Sequence, residues 1–243
     1  MSLIALSKTE HIDLSITKNP NYGFFKNQTI IPLCGFELMA AVSEMPLFFM
    51  RTTNSFRLFG LLGLEDNQNL CVSASGSWEL AFLPAALKVH PFGLGDLKNG
   101  NKTLMLPRKN DFLVKRSLGH PLLTQNGEPT ELTLSYVKLL SEIQLDLGRA
   151  EKACSLLKEL DLLEPFSIEV GKGSLGLGNN HFSWRLKTEE TDDSVLFRIR
   201  PDGFKSIDDD KFLEMRKSGL LTLIYAHFHS LGNITKLIIK MQS

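Results

Sequence analysis

The apolar residues of the chain follow two different rhythms. From about Ile30 to Val114, short apolar runs such as Leu47-Phe48-Phe49-Met50 and Phe56 to Leu62 are separated by polar turn clusters, the pattern of strands and tight turns. Thr52-Thr53-Asn54 fits a hairpin connection and Ala74-Ser75-Gly76 a tight turn. Asn99-Gly100 is the strongest hairpin signal, because both central positions of a type I′ turn need positive φ; it joins Phe92–Leu97 to Thr103–Leu106. Phe36 to Val42 fits a strand or one helical turn, since so short an apolar run does not separate the two by period. Leu83-Pro84-Ala85-Ala86-Leu87 reads as the start of a short helix, Pro being tolerated in the first turn.

Past a polar bridge over Leu118 to Glu128 the spacing changes. Leu132, Leu134, Val137, Leu139, Leu140, Ile143, Leu145 and Leu147 lie mostly three or four apart, which predicts an amphipathic helix opening at Pro129-Thr130-Glu131 and ending near Gly148. A second helix is expected from Arg149 to Leu160, stopped before Pro165. Phe166–Val170, His181–Leu186 and Val195–Ile199 read as strands of a small C-terminal sheet. Ser206-Ile207-Asp208-Asp209 has capping-box spacing and predicts a helix carrying Phe212, Leu213 and Met215 to Ser218-Gly219. A last helix runs from about Leu220 to Leu231 and on past Gly232 toward Ile239. The expected fold is α+β, with a β-rich N-terminal part (1–117) packed with a C-terminal helical part (118–243) containing a small sheet, the two forming separate parts or one continuous domain.

Composition narrows the function classes. Lys plus Arg and Asp plus Glu number 27 each among 243 residues, so no net positive field supports binding to nucleic acid or an anionic membrane. The most apolar window, Leu220 to His229, is too short and too polar for an integral membrane span. No basic n-region followed by an apolar stretch opens the chain, which leads to the expectation of a cytoplasmic protein. Cys34, Cys71 and Cys154 are far apart without C-x-x-C spacing and read as buried thiols.

The candidate chemistry is sparse. Gly171-Lys172-Gly173-Ser174-Leu175-Gly176 spells a dinucleotide fingerprint, but no helix follows to face a phosphate, so a loop is the simpler reading. His227 and His229 point to opposite sides of a helix and do not chelate one metal; one fits a core position and the other a solvent position. Asp208-Asp209-Asp210 fits a helix start better than a cation site. Glu44 and Glu79 have no partner at a motif spacing, and Ser73, Ser75, Ser77 and Ser117 lie in no nucleophile elbow. No catalytic residue, metal ligand set or cofactor is assigned. Trp78, Pro84, Pro91 and Phe92 fit either ordinary core packing or a rigid apolar surface for a partner.

An ordered set of landmarks carries a resemblance. Glu44-Met45-Pro46-Leu47-Phe48-Phe49, Leu61 to Leu64, Asn69-Leu70, Gly76-Ser77-Trp78, Leu83-Pro84-Ala85 and His90-Pro91-Phe92, then Gly219 to His227 and Ser230-Leu231, resemble the SapC family of bacteria over roughly residues 30–235. Cys71 stands where members often carry Phe, and Gly171–Asp193 looks like a local elaboration. The resemblance implies a link to bacterial surface-layer formation. Some relatives bear the name of peptide-transporter permeases, which the absence of an apolar span of sufficient length argues against here. Others lie in gene neighbourhoods with TonB-dependent receptors, cupin-like hydroxylases and flavin-dependent halogenases, which implies handling or modification of an exported molecule. His227 falls on a family landmark and joins Trp78, Pro84, Pro91 and Phe92 as a binding candidate. The function expected is an accessory protein that recognises a peptide or partner protein in a surface-layer, export or modification pathway. The alternatives are an enzyme acting on a peptide or glycan from scattered residues, with His227 and an acid such as Glu79 in its site, and a structural homo-oligomer.

Overall fold

A computed structural model describes residues 3–53, 55–97, 100–166 and 196–242. Its elements in chain order are β1 (Leu3–Ala5), β2 (Leu14–Thr17), β3 (Ile30–Pro32), α1 (Leu38–Ala41), β4 (Leu47–Arg51), β5 (Phe56–Leu61), α2 (Ala85–Lys88), β6 (Gly93–Asp96), β7 (Lys102–Pro107), β8 (Leu113–Lys115) and β9 (Gly119–Pro121). They continue as α3 (Glu131–Glu159), β10 (Leu163–Phe166), β11 (Leu196–Ile199), α4 (Pro201–Lys205), α5 (Asp209–Ser218), α6 (Leu220–Ser230) and α7 (Ile234–Gln242). The fold is α+β, strand-rich toward the N-terminus and helical toward the C-terminus. It forms two compact units whose segments interleave: Met1–Tyr22 with Ala85–Leu145, and Gly23–Pro84 with Asp146–Ser243.

The first unit holds two three-stranded antiparallel sheets, β1-β7-β6 and β8-β2-β9. The β6–β7 hairpin expected around Asn99-Gly100 is present, with Asp96 opposite Lys102 and Gly100 at φ +81°; Asn99 itself lies outside the described residues. Leu104 and Leu106 alternate with more exposed neighbours and turn one face of β7 inward, each 1% exposed. β2 pairs with β8 through Ser15 and Val114 and with β9 through Ser15 and Pro121. The division expected between 117 and 118 therefore falls inside this unit, between two strands that share one neighbour. The stretch expected to be a polar bridge contains β9 and two core leucines, Leu122 and Leu123.

The second unit is built on a five-stranded antiparallel sheet, β10-β11-β4-β5-β3. Met45, Leu47, Phe48, Phe49, Leu61 and Leu62 form its core. The strand expected at Val195–Ile199 appears as β11 and pairs with β10, but it also pairs with β4, Phe197 facing Phe49. A separate C-terminal sheet is thus replaced by an extension of the central one. The physical reason is the aromatic packing of β10 and β11 on the β4–β5 pair, where Phe197 meets Phe56 of β5 edge to face at 4.9 Å and Phe166 stacks on Phe48 of β4 at 5.3 Å. Ser167–Val170, the expected strand His181–Leu186 and the Gly171–Gly176 motif lie outside the described residues.

Two helical expectations are corrected. The helices predicted on either side of Gly148 are one helix of 29 residues, α3. Gly148 is exposed, and a Cβ added there would meet nothing within 4 Å. A glycine in such a place costs about 1 kcal/mol against alanine without ending a helix anchored by buried Cys154 and Leu157. Leu134 and Leu145 of the predicted apolar face are exposed, whereas Thr133 and Asp146 are buried. For α5, the N-cap is Asp208 and not Ser206: Asp208 Oδ1 accepts the backbone N–H of Lys211 at 2.9 Å, and Ser206 instead ends α4. α5 stops as expected at Gly219, whose φ of +77° suits a residue without Cβ. Phe36 to Val42, undecided from sequence, is a 3-10 turn followed by α1.

Candidate functional site

A cleft of about 390 Å³ opens in the first unit between the β1-β7-β6 sheet and the first turns of α3. Its floor is apolar. Leu104 comes from β7, Leu6 is held beside it by a backbone hydrogen bond from Leu6 N–H to Leu104 C=O at 2.8 Å, and Leu123, Leu134 and Val137 close the far side. Leu123 is held by the tight loop Thr124–Glu128. In that loop Thr124 N–H donates to Glu128 C=O at 2.7 Å, and Gly127 takes φ +75° with the Lys8 backbone packed against it. Thr130 caps α3, its Oγ1 accepting from Thr133 N–H, while Thr133 Oγ1 donates to Leu122 C=O at 2.5 Å. Hydrogen bonds therefore hold both walls.

Among the described residues, Lys8 and Lys102 are the charged ones of the lining, and Asn101, Thr103 and Thr133 the polar ones. Lys8 Nζ lies 2.6 Å from Glu128 Oε1 and Lys102 Nζ 2.7 Å from Asp96 Oδ1, both pairs substantially exposed. Volume and lining match sites that take a small molecule or a few side chains, mostly apolar with a few polar groups at fixed places. The sequence reading passed over this cleft by treating 118–128 as a bridge. Asn126-Gly127, a second hairpin dipeptide directly after Leu122-Leu123, was the available signal.

The buried ionisable groups of the second unit have structural work. Cys34 N–H donates to Glu37 Oε2 at 3.0 Å and Gly35 N–H to Asp146 Oδ2 at 2.5 Å, so two buried carboxylates serve the start of the short helix there. Burial, reinforced by the negative charges of Glu37 and Asp146, pushes the Cys34 thiol up to about 12. Burial likewise raises Cys71 and Cys154 to about 12. All three are free, buried thiols, and none is an available nucleophile near neutral pH. Among the described residues no three His, Cys, Asp or Glu side chains group as metal ligands would.

His227 has no exposed surface. Its Nε2 accepts the backbone N–H of Ile199 in β11 at 3.1 Å, which puts the ring proton on Nδ1, where it is donated to Leu47 C=O in β4 at 2.8 Å. Burial lowers its pKa to about 4 against a raising effect of the Leu47 carbonyl, and the ring is neutral at pH 7. One turn on, Ser230 Oγ accepts Leu47 N–H at 3.0 Å and donates to His227 C=O at 2.7 Å. Asn233 Nδ2 then donates to Val42 C=O at 2.8 Å. This buried polar stripe at i, i+3 and i+6 ties α6 and the turn after it to the chain from Val42 to Leu47. His229 faces solvent.

The five sequence candidates are placed apart. Trp78, Pro84 and His227 belong to the second unit, Pro91 and Phe92 to the first, and none of them lines the cleft. Trp78 is half-buried, its indole N–H donating to Phe82 C=O at 2.9 Å; the other four are buried. Phe92 packs on Tyr136 of α3 with ring centres 4.8 Å apart. Glu79 is exposed and paired with Lys240 at 2.8 Å.

An α+β chain with an apolar cleft defines a class broader than any one function. More particularly, the chain belongs to the SapC family, whose pattern it matches over residues 6–237. Neither a curated protein nor a solved structure matches it. Among the described residues no helix is long and apolar enough to cross a membrane.

Proposed function

We propose that this SapC-family protein is an accessory binding protein that recognises a peptide or partner protein in a bacterial surface-layer, export or modification pathway. The cleft of the first unit carries the reading: about 390 Å³ with an apolar floor, hydrogen-bonded walls and polar groups in its lining. The ionisable groups buried in the second unit support it, because Glu37, Asp146 and His227 are engaged with backbone groups and the three thiols are held protonated. A cytoplasmic location accompanies the proposal, and three free thiols fit a reducing compartment.

Native mass spectrometry of untagged protein from its own organism's lysate tests this reading. The expected result is a co-purifying peptide or protein that is lost on Leu134→Asp, a change in the cleft wall at an exposed position. Purified protein that carries no peptide or protein but turns over a small molecule overturns it in favour of an enzyme.

A further inference from the structure

We propose that the outer edge of β6 takes an extended peptide as a further strand of the β1-β7-β6 sheet. The inference rests on the peptide-binding reading and deepens it by naming how the peptide is held. It starts from where the backbone groups of the edge strands go. Leu97 N–H donates to Asn101 C=O at 2.8 Å, and with Asp96 opposite Lys102 this puts the ladder bonds of β6 at Gly93, Gly95 and Leu97. The N–H and C=O of Leu94 and Asp96 therefore point away from β7, and no hydrogen bond from the described residues reaches them.

The other sheet edges are blunted. By the same alternation, an outward position falls on Pro32 in β3, on Pro121 in β9 and on Pro165 in β10, and proline has no N–H to offer a further strand. On β8, Leu113 N–H is taken by Asn110 C=O at 3.0 Å and Lys115 stands at the other outward position. β1 is three residues long, and a short edge pairs poorly; β6 has four, and its ladder runs on to Leu97.

The open groups define their occupant. Two N–H and two C=O groups, repeating at a spacing on the order of 7 Å, are satisfied together by an extended backbone and by no compact polar ligand. Side chains then set the sequence preference. A Cβ at Gly93 or Gly95 would fall 2.6 Å from Leu3 Cδ1 or Met105 Sδ, so that face is already filled, and the peptide is read on the other face beside Leu94 and Asp96. An apolar residue next to Leu94 and a polar one next to Asp96, two positions apart, is the complement. A second copy of this chain matches less well. Antiparallel pairing of β6 with itself about Gly95, the register that uses all the outward groups, sets Leu94 against the charged Asp96 of the copy twice over.

The test uses the full-length protein and two probes. The first is a mixture of N-acetylated hexapeptide amides randomised over Val, Ile, Thr and Lys; the second is the same mixture methylated at every internal backbone nitrogen, which cannot donate to a strand. Binding is followed through the amide shifts and hydrogen exchange of Leu94 and Asp96. The first mixture is expected to slow exchange at both amides at least tenfold and to bind at least tenfold tighter than the second. Leu94→Pro should weaken the first mixture at least tenfold, because the N–H it removes points outward and the β6–β7 ladder keeps its bonds; Leu94→Val should stay within twofold of wild type. An unchanged amide spectrum away from β6 certifies the fold of the proline variant, and the methylated probe decides the matter without it. Equal affinity for the two mixtures, or no shift at Leu94 and Asp96, overturns the inference. Shifts confined to Leu104 and Leu134 overturn it and leave the peptide reading standing, and with no binding at all that reading passes to the lysate experiment. Protection of both amides without peptide, growing with protein concentration, puts a second copy on the edge and overturns the inference as well.

Discussion

Polar groups are used in opposite ways in the two units. Around His227 in the second unit, both ring nitrogens and the Ser230 hydroxyl meet backbone partners inside a core from which water is excluded. Around the cleft of the first unit, the lysine ammonium groups are tied by exposed ion pairs at 2.6 and 2.7 Å above an uncovered leucine. A buried donor or acceptor that loses its partner costs about 1–3 kcal/mol, whereas an exposed pair can change partners at little cost. The first arrangement secures a fold, and the second sets exchangeable ion pairs at the rim of the cleft. His227 accordingly reads as a folding constraint: its ring bonds to the Leu47 carbonyl of β4, and Ser230 one turn on bonds to the Leu47 N–H.

The sharpest way to break this contrast is His227→Ala, which removes the partners of Leu47 C=O and Ile199 N–H and leaves a cavity. A loss of about 3–5 kcal/mol in urea unfolding is expected; a loss below about 1 kcal/mol would make the histidine a functional group and not a structural one. Next in size is a pH effect. The folded pKa of His227 is about 4, below the unfolded value of about 6.5, so the unfolded chain binds the extra proton first. Its contribution is complete above pH 6.5 and is lost as pH falls toward 4, about 3 kcal/mol in all. Unfolding measured across that window should show the slope in wild type and lose it in His227→Ala. Ser230→Ala, which orphans Leu47 N–H, should cost about 1–3 kcal/mol. Gly148→Ala offers a calibration away from both regions, with a gain of about 0.5–1 kcal/mol read from the same denaturant curves. Smallest of all, Leu134→Asp should shift stability by no more than about 0.5 kcal/mol while abolishing cleft binding.

What was legible in the sequence was local. The hairpin closed by Thr52 and Ser55, the turns at Ala74–Gly76 and Gly100 and the stop at Gly219 follow from backbone requirements that a few residues state by themselves; Asn54 lies outside the described residues. The continuity of α3 was not legible, because a glycine penalty of about 1 kcal/mol is overridden by tertiary packing that no local window contains. The pairing of β11 with β4 was hidden for a similar reason: Phe197 and Phe49 are distant in sequence, and each strand alone is satisfied by several neighbours. Asp208 displaced Ser206 as cap because either side chain has the chemistry and only the path of the chain decides. The cleft lay outside the sequence reading because its walls come from four separated stretches, joined only once the Asn126-Gly127 loop has turned.

Leu47 and the histidine that completes its hydrogen bonding are 180 residues apart. At a synthesis rate of roughly 5–20 residues per second, the β4 backbone leaves the ribosome about 10–35 s before His227 does. For most of that interval β4 has β5 on one side, while β11, which covers its other edge, has yet to be made. An apolar strand with one open edge is the commonest starting point for unwanted pairing between chains. Nascent chains arrested before residue 196 should therefore remain open to protease at Leu47–Met50, and chains carried past residue 233 should not. The same stripe that holds the finished protein together makes residues 196–233 a requirement for protecting the five-stranded sheet, so that truncation before residue 196 is felt at β4.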